Sequence, residues 1–187
     1  KRGPIDAAAM MRQLEGELPG TAALRDIAAV VDPAGIDRGT TLFLAATGRF
    51  VSALRAAGAS LRFPDAAVRF NSPIGVVVIG TRGHDTHGPG AALIVDPGGN
   101  DSYERVPATG GAVSVIVDLE GDDRYGGSDL AMHGYSAIVV FSGNDRNEMS
   151  GPGLGAAIAG AAVLADLAGD DIYESPLFGQ GAAAFGL

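Results

Sequence analysis

The sequence predicts a mainly β fold: a parallel β-solenoid of roughly 22-residue coils carrying an N-terminal α-helical unit. Three observations lead there. Five short, often β-branched apolar runs follow one another from residue 74 onward, and each is followed within a few residues by Gly-x-Asp. The aspartates of that motif, Asp85, Asp101, Asp123, Asp145 and Asp171, are spaced 16, 22, 22 and 26 residues apart. A self-similar period is too short here for a propeller blade of about 40 residues, and one or two short strands per unit fit no helical repeat. Stacked coils satisfy the pattern, with equivalent residues about 4.8 Å apart.

The elements follow in chain order, with residues 1–62 read as the helical unit and 63–187 as the solenoid. Residues 5–18, "IDAAAMMRQLEGEL", are rich in helix formers and stand just behind Pro4. Residues 21–31 are expected to form a second short helix, closed by the turn "DPAG" at 32–35. The clearest helix is 40–58, where Phe43, Ala46, Phe50, Val51 and Leu54 make one apolar stripe and Gly58 stands ready as C-cap. Five strands come next: "IGVVVIG" (74–80), "AALIVD" (91–96), "AVSVIVD" (112–118), "SAIVVF" (136–141) and "AAVLAD" (161–166). The spacings of 16 and 26 predict one shortened and one bulged coil.

Composition bounds the function classes. Nearly half the residues are apolar, enough for a packed core, and there is no cysteine, which excludes a disulfide framework, a zinc ribbon and a thiol nucleophile. No apolar run reaches 18 residues, so no membrane span is expected. No secretory leader is visible in "KRGPIDAAAMM", so any export signal is expected upstream. Residues 1–70 carry a net +2 and residues 71–187 a net −11. The acidic part argues against nucleic acid and for metal cations or basic partners.

Within each repeat the columns are distinct. The residue before the aspartate is His84, Asn100, Asp122, Asn144 or Asp170, and two residues beyond it stand His87, Tyr103, Tyr125, Asn147 and Tyr173. Five residues upstream lie Asp96, Asp118 and Asp166, with Gly80 and Val140 breaking that column. Glycine supplies the positive-φ corner, Asn or Asp suits the tight turn, and the tyrosines form a ladder. Carboxylates about 4.8 Å apart repel by roughly 3 kcal/mol at an effective dielectric near 20. Pointing into water, taking up protons or binding cations are the three remedies. The plain expectation is Asx-type turn residues solvated outside; the functional one is calcium between successive turns, a cation suited to carboxylate and carbonyl oxygens.

The stretches "GGNDSY", "GDDRYGG", "SGNDRN" and "GDDIY" resemble the Gly-Asn-Asp-x-aromatic half of the calcium-binding nonapeptide of repeat-in-toxin proteins, which builds a parallel β-roll. The resemblance covers about residues 79–173 and implies Asp101, Asp123, Asp145 and Asp171 as Ca2+ ligands, with Asp85 inside "RGHDTH" the weakest match, and Tyr103, Tyr125 and Tyr173 as inward residues. The period here is about 22 rather than that of the nonapeptide, so one coil carries one such turn. The chain also looks like long-period bacterial β-solenoids with Gly-Asp-Asp-x-Tyr coils.

Other chemistry competes with this. His84, His87 and Asp85 make an imaginable transition-metal set, although on a strand or turn the two histidines point to opposite sides. His133 falls in register with Gly111 and Gly181, an unrestrained corner. Asp122–Asp123 and Asp170–Asp171, with Arg82, Arg105, Arg124 and Arg146 nearby in sequence, would suit a carbohydrate-active enzyme, a polysaccharide lyase or hydrolase. "SGPGLGAAIAG" (150–160) lacks the Lys-Ser/Thr ending of a phosphate loop, and no G-x-S-x-G occurs. Leu187 falls in strand register with Val117 and Val139, so an open solenoid edge is expected there, covered by further coils, a protein partner or self-association. The leading expectation is a non-enzymatic structural or binding module with calcium in its acidic turns, in an extracellular, cell-surface or periplasmic setting. The alternatives are a carbohydrate-active enzyme and an end-to-end assembly subunit.

Overall fold

Helix α1 (Pro33–Ala57) opens the part of the chain that the computed structural model describes, residues 32–176 and 178–184. The helices expected at 5–18 and 21–31, and the strand register of Leu187, lie outside the described residues. The described residues from 34 onward form one compact unit. The turn expected at 32–35 is instead the start of α1. Pro33 takes the first helical position, where its missing N–H costs nothing and its fixed φ is already helical. A 3₁₀ turn (Gly58–Ser60) follows, and Gly58 has the left-handed φ of +44° expected of a helix-ending glycine.

The solenoid then winds coil by coil. Strands β1 (Val68–Ser72) and β2 (Gly75–Ile79) form an antiparallel hairpin, and β3 (Thr86–His87) completes a first coil of two faces only. The second coil holds β4 (Leu93–Asp96), β5 (Ser102–Arg105) and β6 (Ala108–Thr109). The third holds β7 (Val113–Asp118), β8 (Arg124–Gly127) and β9 (Ala131–Met132). The fourth holds β10 (Tyr135–Val140), β11 (Arg146–Glu148) and β12 (Ala157–Ile158), and the fifth β13 (Ala161–Asp166), β14 (Ile172–Glu174) and β15 (Ala183–Ala184). Equivalent strands stack into three sheets, ordered β1-β2-β4-β7-β10-β13, β3-β5-β8-β11-β14 and β6-β9-β12-β15. Every pair except β1–β2 is parallel. This is the predicted fold class, a mainly β chain with a helix ahead of a solenoid.

The register locates the irregular spacings. Val77 pairs with Leu93, 16 residues on, because the first coil skips the third sheet. Asn147 still pairs with Tyr125 at 22, whereas Ala157 pairs with Ala131 at 26, so the four extra residues bulge between β11 and β12. In the third sheet Thr109 pairs with Met132 at 23 and Met132 with Ile158. His133 therefore shares its corner with Gly110 and Ala159, one position away from the expected Gly111. All three are left-handed, at φ of +63°, +53° and +50° for Gly110, His133 and Ala159.

The first sheet is apolar on both faces, which is why its strands read as continuous runs. Inward, Val78, Ile94, Ile116, Ile138, Val140 and Leu164 pack on the tyrosines. Outward, Val115, Val117, Ala137 and Val163 meet Phe43, Phe50, Val51 and Leu54 of α1. The rings of Phe43 and Tyr135 lie 5.3 Å apart, and Gly39 gives the helix room to pass Tyr135. The stripe differs from expectation at one place: Ala46 is exposed, while Thr40 and Phe43 are buried and Thr47 and Phe50 half-buried. Strand β1 is an addition to the five expected runs, although Val68 and Phe70 alternating with Arg69 and Asn71 is a strand pattern. A buried cation sits inside: Arg105 donates through Nη2 to Ser114 Oγ (3.0 Å) and Ser136 Oγ (2.8 Å), and the charge of buried Asp129 acts on it. No helix among the described residues is long and apolar enough to cross a membrane.

Candidate metal centre

The Gly-x-Asp turn joins the first sheet to the second. Gly99, Gly121, Gly143 and Gly169 take φ between +144° and +154° and stack so tightly that a Cβ on Gly121 would lie 1.8 Å from the Gly99 carbonyl oxygen. No other residue fits this column. Gly83, in the weakest repeat, does not take this conformation among the positive-φ glycines.

The turn then sends alternate side chains to opposite sides. Asn100, Asp122, Asn144 and Asp170 stay exposed, and the first three accept from the coil that follows: the N–H groups of Asp122, Asn144 and Asp170 donate to Asn100 Oδ1 (3.2 Å), Asp122 Oδ1 (2.8 Å) and Asn144 Oδ1 (3.1 Å). The aspartates of the motif run the other way. The N–H groups of Asp85, Asp101, Asp123 and Asp145 donate to the Oδ1 atoms of Asp101 (2.6 Å), Asp123 (2.6 Å), Asp145 (2.8 Å) and Asp171 (2.9 Å) in the next coil. Two neighbouring columns thus sew each coil to the next in both directions.

All five predicted aspartates fall in one column, but not on the outside. Asp101, Asp123 and Asp145 are 3%, 3% and 1% exposed, and Asp85 and Asp171 are half-buried. The expectation of turn residues solvated in bulk water is corrected: the strand alternation leading out of the turn aims them at the interior. The backbone N–H groups accepted by Asp101, Asp123, Asp145 and Asp171 belong to the neighbouring coil rather than to their own turn. Asp85 Oδ2, by contrast, accepts the N–H (2.6 Å) and hydroxyl (2.9 Å) of Thr81 in its own turn.

A second acidic column meets the first. Asp118 Oδ2 accepts from the hydroxyls of Tyr103 (2.6 Å) and Tyr125 (3.0 Å), Asp166 Oδ2 accepts from Tyr173 (2.7 Å), and Asp96 Oδ2 lies 2.6 Å from His87 Nε2. Stacking holds the donors in line, with His87 4.8 Å from Tyr103 and Tyr103 4.7 Å from Tyr125. Three groups result whose ligand atoms lie within 4.8 Å of one another: Asp85, His87 and Asp96; Asp101, Asp118 and Asp123; and Asp145, Asp166 and Asp171. The spacing of five residues between the two columns is visible in the chain, but only the two strands meeting at the turn make them converge. Val140 occupies the inner position of the fourth coil, so among the described residues no group forms between Asp123 and Asp145.

The electrostatics follow from crowding. Burial, first of all, pushes Asp123 up to about 9, and the neighbouring Asp118 carboxylate adds to this. Burial likewise pushes Asp145 up to about 7 and Asp101 to about 6; the charges of Asp166 and Asp171, and of Asp96 and Asp118 respectively, reinforce it against the backbone N–H each accepts. Asp118 and Asp166 are raised by burial, while their tyrosine donors pull them down. The Oδ2 atoms of Asp101, Asp123 and Asp145 and Oδ1 of Asp166 are buried with no hydrogen-bond partner. Such oxygens call for a proton or a cation.

The histidines separate as their spacing implied. His84 sits in the exposed Asn/Asp column, where its Nδ1 lies 2.7 Å from the Asn100 carbonyl oxygen, and His87 is buried in the tyrosine column. The imagined set of His84, His87 and Asp85 is therefore corrected, with Asp96 in place of His84. Outside the turns, Arg82, Glu120, Asp122 and Ser142 border an open groove of about 610 Å³. Protein-family models, curated proteins and solved structures offer no match to this chain.

Proposed function

We propose that the chain is a non-enzymatic structural or binding module, a rigid solenoid whose coils are locked together by calcium held between the two inward acidic columns. The carrying observation is the set of buried, unpartnered Oδ2 atoms on Asp101, Asp123 and Asp145, each beside an aspartate of the second column. Burial removes bulk water as a remedy for their repulsion. A divalent ion answers three converging carboxylates at once, and calcium tolerates the irregular oxygen coordination that carboxylates already committed to N–H and hydroxyl donors can give. The reading assigns ions to the Asp101–Asp118–Asp123 and Asp145–Asp166–Asp171 groups. It fits an exported setting, where calcium sites of about 10⁻⁴–10⁻³ M affinity are filled.

Thermal melts with millimolar calcium and with chelator test this. At about ten times the dissociation constant each of the two sites adds about 1.4 kcal/mol, together a rise in Tm of roughly 5–10 °C for a chain of this size. Superimposable melts would remove calcium from the reading and leave the bare scaffold. One observation favours a second reading, a carbohydrate-active surface: the turn groove sets Glu120 and Asp122 beside Arg82, whose Nη1 is 4.0 Å from Glu120 Oε2. A screen on acidic polysaccharides with Glu120→Gln and Asp122→Asn, one at a time, decides it. Activity abolished by either change supports the enzyme, and no turnover by the unmodified protein removes it.

A further inference from the structure

The geometry points to Asp85, His87 and Asp96, between the first and second coils, as a site for one first-row transition ion of zinc-like preference. This goes beyond the calcium reading and does not depend on it. The donor set differs in kind from the two all-carboxylate groups, because an imidazole nitrogen joins two carboxylate oxygens within 4.8 Å. Imidazole with carboxylate suits zinc and its neighbours, whereas calcium and magnesium favour oxygen alone.

Two departures from the repeat make this group. In the inner acidic column the first coil has Gly80, and a Cβ there would lie 2.0 Å from Asp96 Oδ2 and 3.2 Å from Asp85 Oδ2. The missing side chain lets Asp96 lean back toward the first coil and brings both carboxylates over one point. In the aromatic column His87 stands where Tyr103, Tyr125 and Tyr173 stand elsewhere. Like Tyr103, it stacks on the next ring and bonds the next coil's inner aspartate. A tyrosine would do as much for the fold, so what the imidazole adds is a nitrogen ligand.

The site also has an approach. His87 is 5% exposed, and among the described residues Asp96 is the sole hydrogen-bond partner of its ring, so the second ring nitrogen is unpartnered. The ring borders two cavities, of about 270 Å³ and about 170 Å³, and the smaller one is also lined by Asp85. The larger opens because the first coil lacks a third strand. His87 and Asp85 border open space while Asp96 closes the inner side, which leaves coordination positions for water or an incoming ligand, the arrangement of a non-structural metal site.

Cobalt(II) is the probe, since its visible d–d absorption reports ligand number. We expect one cobalt per chain, displaced by zinc and retained in excess calcium. His87→Tyr restores the repeat residue, so it keeps the melting temperature measured in chelator and weakens cobalt by more than about 100-fold, beyond the loss of an outer-shell partner. His84→Ala and His133→Ala leave cobalt binding unchanged. If His87→Tyr fails to fold by circular dichroism, Asp85→Asn at its half-buried position is read instead and must show the same weakening. No cobalt uptake, equal uptake by the folded His87→Tyr protein, or loss of uptake on changing His84 or His133 would overturn the site. A calcium-dependent melt without cobalt binding sinks this site alone, and cobalt binding without a calcium shift sinks only the calcium reading.

Discussion

Asp122 and Asp123 are adjacent, chemically identical, and opposite in everything else. The first is exposed and holds the N–H and side-chain Nδ2 of Asn144 at 2.8 and 3.1 Å. The second is 3% exposed, holds the N–H of Asp101, lies beside Asp118, and is pushed up to about 9 by burial. Strand alternation alone separates them. A stacked motif therefore carries two acidic ladders with different duties: an outer one that water can replace, and an inner one that water cannot reach.

The sharpest way to break the comparison is to break the turn that creates it. Gly121→Ala puts a Cβ 1.8 Å from the Gly99 carbonyl oxygen at a φ of +150°, and backbone on both sides has nowhere to go. Both ladders lose register together. The expected loss is at least about 4 kcal/mol, in the exceptional range for one substitution, read as failure to fold or a collapsed urea midpoint. Below that stands Asp123→Ala, which strands the buried N–H of Asp101 and costs about 1–3 kcal/mol. Asp123→Asn keeps an acceptor for that N–H and removes a crowded charge. Its melt in chelator matches or exceeds that of the parent, and its calcium shift falls by about half, the Asp145–Asp166–Asp171 group being untouched.

How much of this was legible depends on which contacts are periodic. The stacked strands, the short and bulged coils, and the alignment of Asp85, Asp101, Asp123, Asp145 and Asp171 could all be read from spacing, because in a solenoid sequence period and spatial period are one quantity. The face they occupy could not. Which way a side chain points after a tight corner depends on the φ of Gly121 and its equivalents, and the turn motif reads alike for an outward and an inward carboxylate. Asp118 and Asp166 were visible as a column but not as partners, since their meeting with the motif aspartates spans the corner between two sheets. Counting only apolar residues from Phe43 onward puts Ala46 on the buried face of α1. The true line runs from Thr40 through Phe43 to Thr47 and Phe50, and a threonine gives a hydropathy pattern no reason to include it.

Solution pH sharpens the same contrast at smaller amplitude. Asp101, Asp145 and Asp123 stand at about 6, about 7 and about 9 in the fold, against an aspartate value near 4 in an unfolded chain. Between those limits the folded chain holds more protons than the unfolded one, so stability falls as pH rises through them. In chelator, Tm is therefore expected to drop by roughly 5 °C or more from pH 5 to pH 8. Saturating calcium, which competes with those protons, flattens or reverses the slope. A Tm that rises over this range in chelator would mean the inner ladder is charged and solvated after all.

The smallest effect is the most discriminating. Asp122→Ala removes the side chain that accepts from Asn144, one residue from the change that costs a buried bond. Its neighbours are exposed, so water takes over the N–H and amide donors, and the expected change is within about 0.5 kcal/mol. The calcium shift and the pH slope should both survive intact. If Asp122→Ala instead costs as much as Asp123→Ala, the outer column is bearing the coils together. The division into a replaceable ladder and an irreplaceable one would then be wrong, and the turn would have to be treated as one cooperative unit whose two acids cannot be assigned separate roles.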